Sequence, residues 1–221
     1  MENLYNKNGL VFWTEQEIRV REMLVSYFCK NLFDELRNIN KAFDIFQIEA
    51  PLLTPSGLIN PQYTSEDVFQ LEDLTLRPET TMGSYSYAQY LLSTHKKVQL
   101  PICVWQHGKS FRNEQDQVVK NMRLKEFYQL EFQIIYSFGT KADYSANIIV
   151  FVKEMMSKIL GPCRVEESDR IPDYAKFTMD IIFESLNMEI CSISQRKDYD
   201  GAHVLEVAIG TDRCVHCWET K

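Results

Sequence analysis

The sequence contains little glycine and proline, with eight and seven residues respectively in a chain of 221. Most of the chain is therefore expected to form regular secondary structure, and no Ser/Gly-rich linker, internal repeat or low-complexity tract divides it. We expect one domain over residues 1–221, because this length suffices for one sizeable hydrophobic core. The contents of 45% hydrophobic and 25% charged residues are ordinary for a globular protein.

Long apolar runs are also missing. No run approaches the roughly 20 residues of a membrane-spanning helix, and the N-terminal MENLYNKNGL lacks the apolar segment of a signal peptide. No membrane partner is therefore expected. The six cysteines stand at irregular spacings in a chain too long to need disulfide bonds, which favours reduced thiols and a cytoplasmic location. The net charge of −7 argues against a general coat for nucleic acid but leaves room for a local basic contact.

Signatures of phosphate loops and metal sites are weak or absent. The sequence has neither a Walker-type loop nor a G-x-G-x-x-G. Cys214 and Cys217 form a C-x-x-C, for which only Cys191 and His203 could complete a zinc site; the alternative is two buried thiols on a terminal helix. We expect no metal bound by a cluster of protein side chains alone.

Hydrophobic periodicity predicts an α+β domain, an antiparallel sheet flanked by helices. Thr14 and Glu17 form a capping box before a helix of about residues 15–38. Further helices are predicted within RPETTMGSYSYAQYLL and over residues 141–160, where Gly161 ends the second helix. Strands are predicted for FDIFQIEAP up to Pro51, for ICVWQHGKSFRNE, for residues 124–137, for a hairpin turning near Leu186-Asn187, and for VLEVAIG. Residues 52–76 are turn-rich, and residues 115–122 are predicted to be a hairpin loop.

Several predicted strands carry polar side chains on one face. The candidates are Arg112, Glu114, Phe127, Gln129, Glu131 and Glu206, with Glu79 in an RPET turn nearby and Asp212-Arg213 after the last strand. An arginine can bind a phosphate through two hydrogen bonds, an aromatic ring can stack on a base, and carboxylates can hold an ammonium group or Mg²⁺. The set suits a nucleoside triphosphate and a small amine, although a sheet with one solvated face shows the same alternation.

Three segments in order resemble the motifs of class II aminoacyl-tRNA synthetases. The helix and strand ending at Pro51 resemble motif 1, FRNE followed by a loop and KEF resembles motif 2, and AIGTDR resembles motif 3. LRPETTMGSY is similar to LRPETAQGIF of dimeric glycyl-tRNA synthetases, and KEFYQLEFQ and VLEVAIGTDR are similar to their REFTQAEIE and VIEPSAGIDR. NGLVFW looks more like the threonyl enzyme. The resemblance covers nearly the whole chain and implies the class II catalytic fold.

The resemblance implies ATP and Mg²⁺ as cofactors and assigns roles to the matching residues. Arg112 would bind the α-phosphate, Glu114 the adenine amino group, Phe127 one adenine face, and Arg213 the other face or the γ-phosphate. The amino group of glycine would be held by Glu79, Glu131 and Glu206, and Mg²⁺ arriving with ATP could reach Glu206. Arg77 and Gln129 are further members of the site, and Ala208 replaces a serine of the family, so glycine, alanine and serine all stay open.

The resemblance also implies partners. Motif 1, here the helix at 15–38 and the strand to Pro51, would form a homodimer interface, while Lys120, Arg123 and Lys125 on the motif 2 loop would contact the acceptor end of a tRNA. The family's anticodon-binding domain normally follows motif 3, and this sequence ends soon after Arg213, so we expect a catalytic domain without it. The function that the resemblance implies is ATP-dependent activation of a small amino acid, glycine first, to an aminoacyl-adenylate, with transfer to the acceptor end of a tRNA. Two alternatives are a synthetase-like ligase that loads a carrier protein and a non-catalytic binding or accessory subunit.

Overall fold

The computed structural model describes residues 2–113, 122–138 and 143–220. The helices are α1 (Glu2–Lys7), α2 (Glu15–Ile39), α3 (Thr81–Thr94), α4 (Ser145–Leu160) and α5 (Thr211–Glu219). The strands are β1 (Asp44–Gln47), β2 (Leu53–Pro55), β3 (Gln70–Leu71), β4 (Leu74–Leu76), β5 (Ile102–Phe111), β6 (Glu126–Ser137), β7 (Cys163–Glu167), β8 (Ala175–Phe183), β9 (Met188–Arg196) and β10 (Ala202–Gly210). No helix in these ranges is both long and apolar enough to cross a membrane.

A seven-stranded sheet in the order β1-β5-β6-β10-β9-β8-β7 forms the centre of the molecule, and the predicted α+β class is confirmed. Its neighbouring strands are antiparallel except at one edge, where β1 runs parallel to β5. The expectation of a wholly antiparallel sheet is wrong there, because the long connection through residues 48–101 contains α3 and returns the chain in the same direction. Strands β2, β4 and β3 form a second, small sheet within that connection.

Helix α2 begins at the predicted capping box. The Glu17 N–H donates to Thr14 Oγ1 (3.3 Å), and the Thr14 N–H donates to Glu17 Oε2 (2.6 Å). Leu24, Phe28 and Leu32 are fully buried on one side of the helix, as the apolar spacing predicted. They join residues of α4, α5 and one face of the large sheet in the main hydrophobic core. The other face of the sheet is covered by α3.

Most of the other predicted elements are confirmed, with differences at their ends. The strand predicted up to Pro51 stops at Gln47, although the Ile48 N–H still donates to the carbonyl of Trp105 (2.9 Å). Asn187 adopts a left-handed conformation with φ 47° and turns the chain from β8 to β9, where a turn was expected. Helix α1, strand β7 and the small sheet were not predicted. The predicted loop at 115–122 lies outside the described residues, apart from Met122.

Candidate active site

Three carboxylates that the sequence singled out are buried on the face of the sheet beneath α3. Glu131 lies on β6, Glu206 lies on the adjacent β10, and Glu79 precedes α3. Their exposed fractions are 0%, 5% and 7%. The alternative of an ordinary solvated face is therefore wrong, because the start of α3 closes over these residues. We call the three residues the carboxylate cluster.

Glu131 accepts hydrogen bonds from several side chains around it. Thr80 Oγ1 and Thr81 Oγ1 donate to Oε2 over 3.0 and 2.8 Å, and Gln133 Nε2 donates to Oε1 over 2.6 Å. Burial, and then the nearby charge of Glu206, raise the pKa of Glu131 well above its usual value. Thr81 Oγ1 also lies 3.5 Å from Glu206 Oε1, so its hydroxyl stands between two carboxylates.

Glu206 is held by a cation that the sequence analysis did not assign. Arg196 Nη1 donates to Glu206 Oε2 over 3.0 Å, and Tyr174 OH donates to Oε1 over 3.2 Å. The Arg196 guanidinium lies between the rings of Tyr85 and Tyr174, at 3.8 and 3.9 Å from their centroids, and also pairs with Asp198 (2.7 Å). These residues were missed because they come from separate parts of the chain: Tyr85 lies on α3, Tyr174 just before β8 and Arg196 at the end of β9.

Glu79 is the member of the cluster with an unused oxygen. Tyr63 OH donates to Glu79 Oε2 over 2.6 Å, while the buried Oε1 has no hydrogen-bond partner among the described residues. Burial and the charge of Glu206 raise the pKa of Glu79, and the charge of Arg112 opposes them. A buried carboxylate oxygen without a donor is unfavourable, and an ammonium group is a donor that would satisfy it.

Arg112 and Phe127 come together at the open end of β5 and β6. The guanidinium carbon of Arg112 lies 5.2 Å from the Phe127 ring centroid and 5.4 Å from that of Tyr63, and its Nε donates to the carbonyl of Pro78 (3.0 Å). A cation beside an aromatic face suits a phosphate with an attached base. Gln129 lies between this pair and the cluster, where its Oε1 accepts from Ser110 Oγ (2.6 Å).

Of three other predicted site residues, Ala208 lies beside the carboxylate cluster, whereas Arg77 and Arg213 donate to backbone carbonyls. Arg213, at the start of α5, donates through Nη1 to the carbonyl of Glu189 (2.9 Å) and forms an ion pair with that side chain (3.5 Å). Ala208 lies half-buried on β10, paired with Glu131 of β6. Arg77 is buried and donates to the carbonyls of Lys109 (2.8 Å) and Ala50 (2.7 Å), so its contacts hold backbone segments together.

Of the residues predicted to contact tRNA and adenine, two lie outside the described ranges, namely Glu114 and Lys120. Arg123 is exposed. The Lys125 ammonium lies 6.0 Å from the ring of Phe69, and the backbone N–H of Lys125 donates to the carbonyl of Gly9 (2.9 Å).

The zinc alternative finds no support in the described residues. Cys214 and Cys217 are buried on α5, whereas His203 stacks on Tyr136 at the far end of β10, with centroids 5.0 Å apart. No group of three or more His, Cys, Asp or Glu within the described ranges could hold a metal ion.

Comparisons with known proteins find relatives among the glycine–tRNA ligases. A glycine–tRNA ligase of Macrococcus caseolyticus is 31% identical over 159 residues, which cover 67% of this chain and 33% of that protein. A glycine–tRNA ligase of Lachnospira eligens is 27% identical over 212 residues, covering 90% of this chain and 42% of that protein. The chain thus spans less than half the length of these curated relatives.

The fold has solved counterparts as well. The pyrrolysyl-tRNA synthetase of Desulfitobacterium hafniense superposes with a TM-score of 0.67 at 16% identity, over 91% of this chain and 70% of that one. The family model for the class II core domain of tRNA synthetases (G, H, P, S and T) matches residues 63–217, well over half of the chain. This match contains the carboxylate cluster, Arg112, Phe127 and Arg213, and the chain therefore belongs to the class II tRNA synthetase core domain family.

Proposed function

We propose that this domain activates a small amino acid, glycine in the first place, with ATP to give an aminoacyl-adenylate, and transfers the aminoacyl group to the acceptor end of a tRNA. The observation that carries the proposal is the buried carboxylate cluster next to the Arg112–Phe127 pair. It combines an ammonium-binding site, including the unused oxygen of Glu79, with a site for a phosphate and a base.

In this proposal Arg112 binds the α-phosphate and Phe127 stacks on the adenine. Glu79 accepts from the ammonium group, which aims the carboxylate of the amino acid at the α-phosphorus. One carboxylate oxygen forms a bond to phosphorus while the bond from phosphorus to the pyrophosphate oxygen breaks. The protein supplies positioning and charge stabilisation rather than a nucleophile.

A small side chain is favoured by the crowding around the cluster. Thr81, Tyr174 and Arg196 already contact Glu206, and Ala208 adds a methyl group on the same strand face. The names of the glycine–tRNA ligase relatives support glycine, and alanine and serine are the next candidates.

Magnesium enters the proposal only with the nucleotide. Both oxygens of Glu206 already accept from neutral or cationic donors of Arg196, Gln133 and Tyr174. A Mg²⁺ ligand needs free oxygens, so Glu206 does not fit as a ligand, and the ion would be carried by the ATP phosphates. A cytoplasmic location is part of the same proposal.

The deciding experiment is ATP–pyrophosphate exchange with each standard amino acid. We expect exchange with glycine above all others, and loss of exchange on the order of 100-fold in Arg112→Ala, because one preorganised phosphate contact is removed. Arg164→Ala, which breaks an ion pair with Glu166 on the opposite edge strand β7, is the control and should leave exchange unchanged. Exchange with no amino acid would instead favour the non-catalytic alternative. Activation without transfer to any tRNA would favour a carrier protein as acceptor.

A further inference from the structure

Behind the candidate active site, the first turn of α5 is bound to β6 by side chains. The ladder between β10 and β6 runs as far as the pair Gly210 and Gln129. Beyond it, Thr211 Oγ1 donates to the carbonyl of Tyr128 (3.1 Å), and Asp212 Oδ2 accepts from the Tyr128 N–H (2.8 Å). Two side chains thus satisfy both backbone groups of one β6 residue at the point where the ladder ends.

Asp212 is itself held by a cation from another helix. Arg21 of α2 lies 3.3 Å from Asp212 Oδ1, and the two side chains are only 8% and 3% exposed. The guanidinium also lies 4.0 Å from the Tyr128 ring centroid. Burial raises the pKa of Asp212 to about 6, against the opposing effects of the Tyr128 N–H and Arg21.

Such a pair is a costly way to stabilise a fold. Taking two charges out of water offsets much of their attraction, and apolar residues of similar size often serve stability equally well. Hydrogen bonds and ion pairs have a defined direction. The contacts of this pair therefore determine where the start of α5 lies along β6.

Of the residues on either side of this connection, Phe127 and Gln129 lie in the candidate active site, and Arg213 is assigned to it by the family resemblance. Successive residues of a strand point to opposite faces, so Phe127 and Gln129 face the site while Tyr128 faces α2. Arg213 directly follows Asp212. We propose that Asp212, held by Arg21, is a positioning residue that fixes Phe127 and Arg213 relative to each other and so shapes the ATP half of the site. This inference rests on the proposed function.

The test compares Michaelis constants for ATP and for the amino acid in pyrophosphate exchange. In Asp212→Ala we expect the KM for ATP to rise about tenfold, because the buried Tyr128 N–H loses its acceptor, with the KM for the amino acid changed by less than about twofold. Asp212→Asn should restore most of the ATP affinity, because its amide oxygen can still accept from the Tyr128 N–H.

Asp143, just before α4, offers a matched control because it contacts the same strand, β6. Its Oδ1 accepts from Tyr136 OH of β6 (2.8 Å) and from the N–H of Ser145 at the start of α4 (2.9 Å), so it too joins a helix start to β6, at the other end. Asp143→Ala should lower the melting temperature without separating the two Michaelis constants. If Asp212→Ala does not fold, Thr211→Val removes the neighbouring bond to Tyr128 and carries the same expectation.

Equal changes in both Michaelis constants, the same behaviour in Asp212→Ala and Asp143→Ala, or no rescue by asparagine would overturn the positioning role and leave the pair a structural one. Absence of exchange in the wild-type chain would overturn the proposed function and this inference together. That result is visible before any variant is made, so the two failures are distinguishable.

Discussion

Glu79 differs from Glu131 and Glu206 in the donors that surround it. The other two carboxylates accept from hydroxyl, amide or guanidinium groups of the protein on both oxygens, whereas Oε1 of Glu79 has no donor within the described residues. A bound ammonium group would therefore gain most from Glu79. The other two carboxylates mainly hold Thr81, Gln133 and Arg196 in place around it.

We predict that Glu79→Gln raises the KM for the amino acid about 10- to 100-fold, because it replaces a charged acceptor by a neutral amide. The KM for ATP should change much less. Pyrophosphate exchange at varied amino-acid and ATP concentrations measures both constants. The control is Glu72→Gln in the exposed turn between β3 and β4, which should behave as wild type. A variant that affects only the KM for ATP would contradict the assignment of Glu79 to the amino group.

Among the elements, α2 supports both the core and the proposed positioning pair. Leu24, Phe28, Leu32 and Leu36 are fully buried against the sheet, and Arg21, one turn before Leu24, contacts Asp212. The capping box fixes where the helix begins, so it also fixes which turn presents Arg21 to α5. We therefore expect substitutions that disturb the packing of α2 to lower the stability of the fold.

We predict that Leu24→Ala lowers the free energy of unfolding by about 2–5 kcal/mol, since it removes a fully buried side chain and leaves a cavity. Met23→Ala is the neighbouring control: Met23 is 38% exposed, so its loss should change stability by about 0.5 kcal/mol or less. Urea unfolding followed by circular dichroism gives both values. Equal losses at the two positions would show that α2 does not pack through the Leu24 side.

At the scale of the whole molecule, an apolar groove runs along the segment after β1. It has a volume of about 490 Å³ between the segment 47–58 and α3, and is lined among others by Pro51, Leu53, Leu58 and Tyr87. Leu53, Leu58 and Tyr87 are 41%, 63% and 39% exposed. An apolar surface at the edge of the proposed motif 1 is consistent with a homodimer interface there.

We predict a dimer at micromolar concentration in sedimentation experiments and a shift towards monomer in Leu53→Asp, because a charge would be buried in the interface. The control is Ile171→Asp, at an exposed position (46%) between β7 and β8 at the opposite edge of the sheet. A wild-type monomer under these conditions would contradict the motif 1 interface.

We predict that residues 1–221 contact a tRNA only at its acceptor end. With few cationic contacts, binding of tRNA should be weak with a shallow salt dependence, and a minihelix without the anticodon arm should still be charged. Reversing the charges at Lys120 and Arg123 should impair transfer but leave pyrophosphate exchange intact. Lys158→Glu, an exposed position on α4, is the control. Strict dependence on the anticodon sequence would contradict this prediction.

The sequence alone predicted much of the secondary structure. It also singled out the central residues of the candidate site. The spacing of Leu24, Phe28 and Leu32 and the capping box at Thr14 are local patterns, and local patterns determine where a helix begins and which side it buries. The alternation along β6 likewise separated Phe127 and Glu131 from Leu130 and Phe132. The family motifs then connected Arg112, Glu79 and Glu206, which lie far apart in the chain.

The tertiary structure decided which of these polar residues are buried and what holds them. Arg196 between Tyr85 and Tyr174, Tyr63 on Glu79, and Arg21 on Asp212 each join residues from separate elements. Such contacts leave no periodic trace in the sequence, because they arise only when strands pair and helices pack. The parallel pairing of β1 with β5 is of the same kind. A short strand pattern does not encode the direction of its partner, which here follows from the path of the intervening chain.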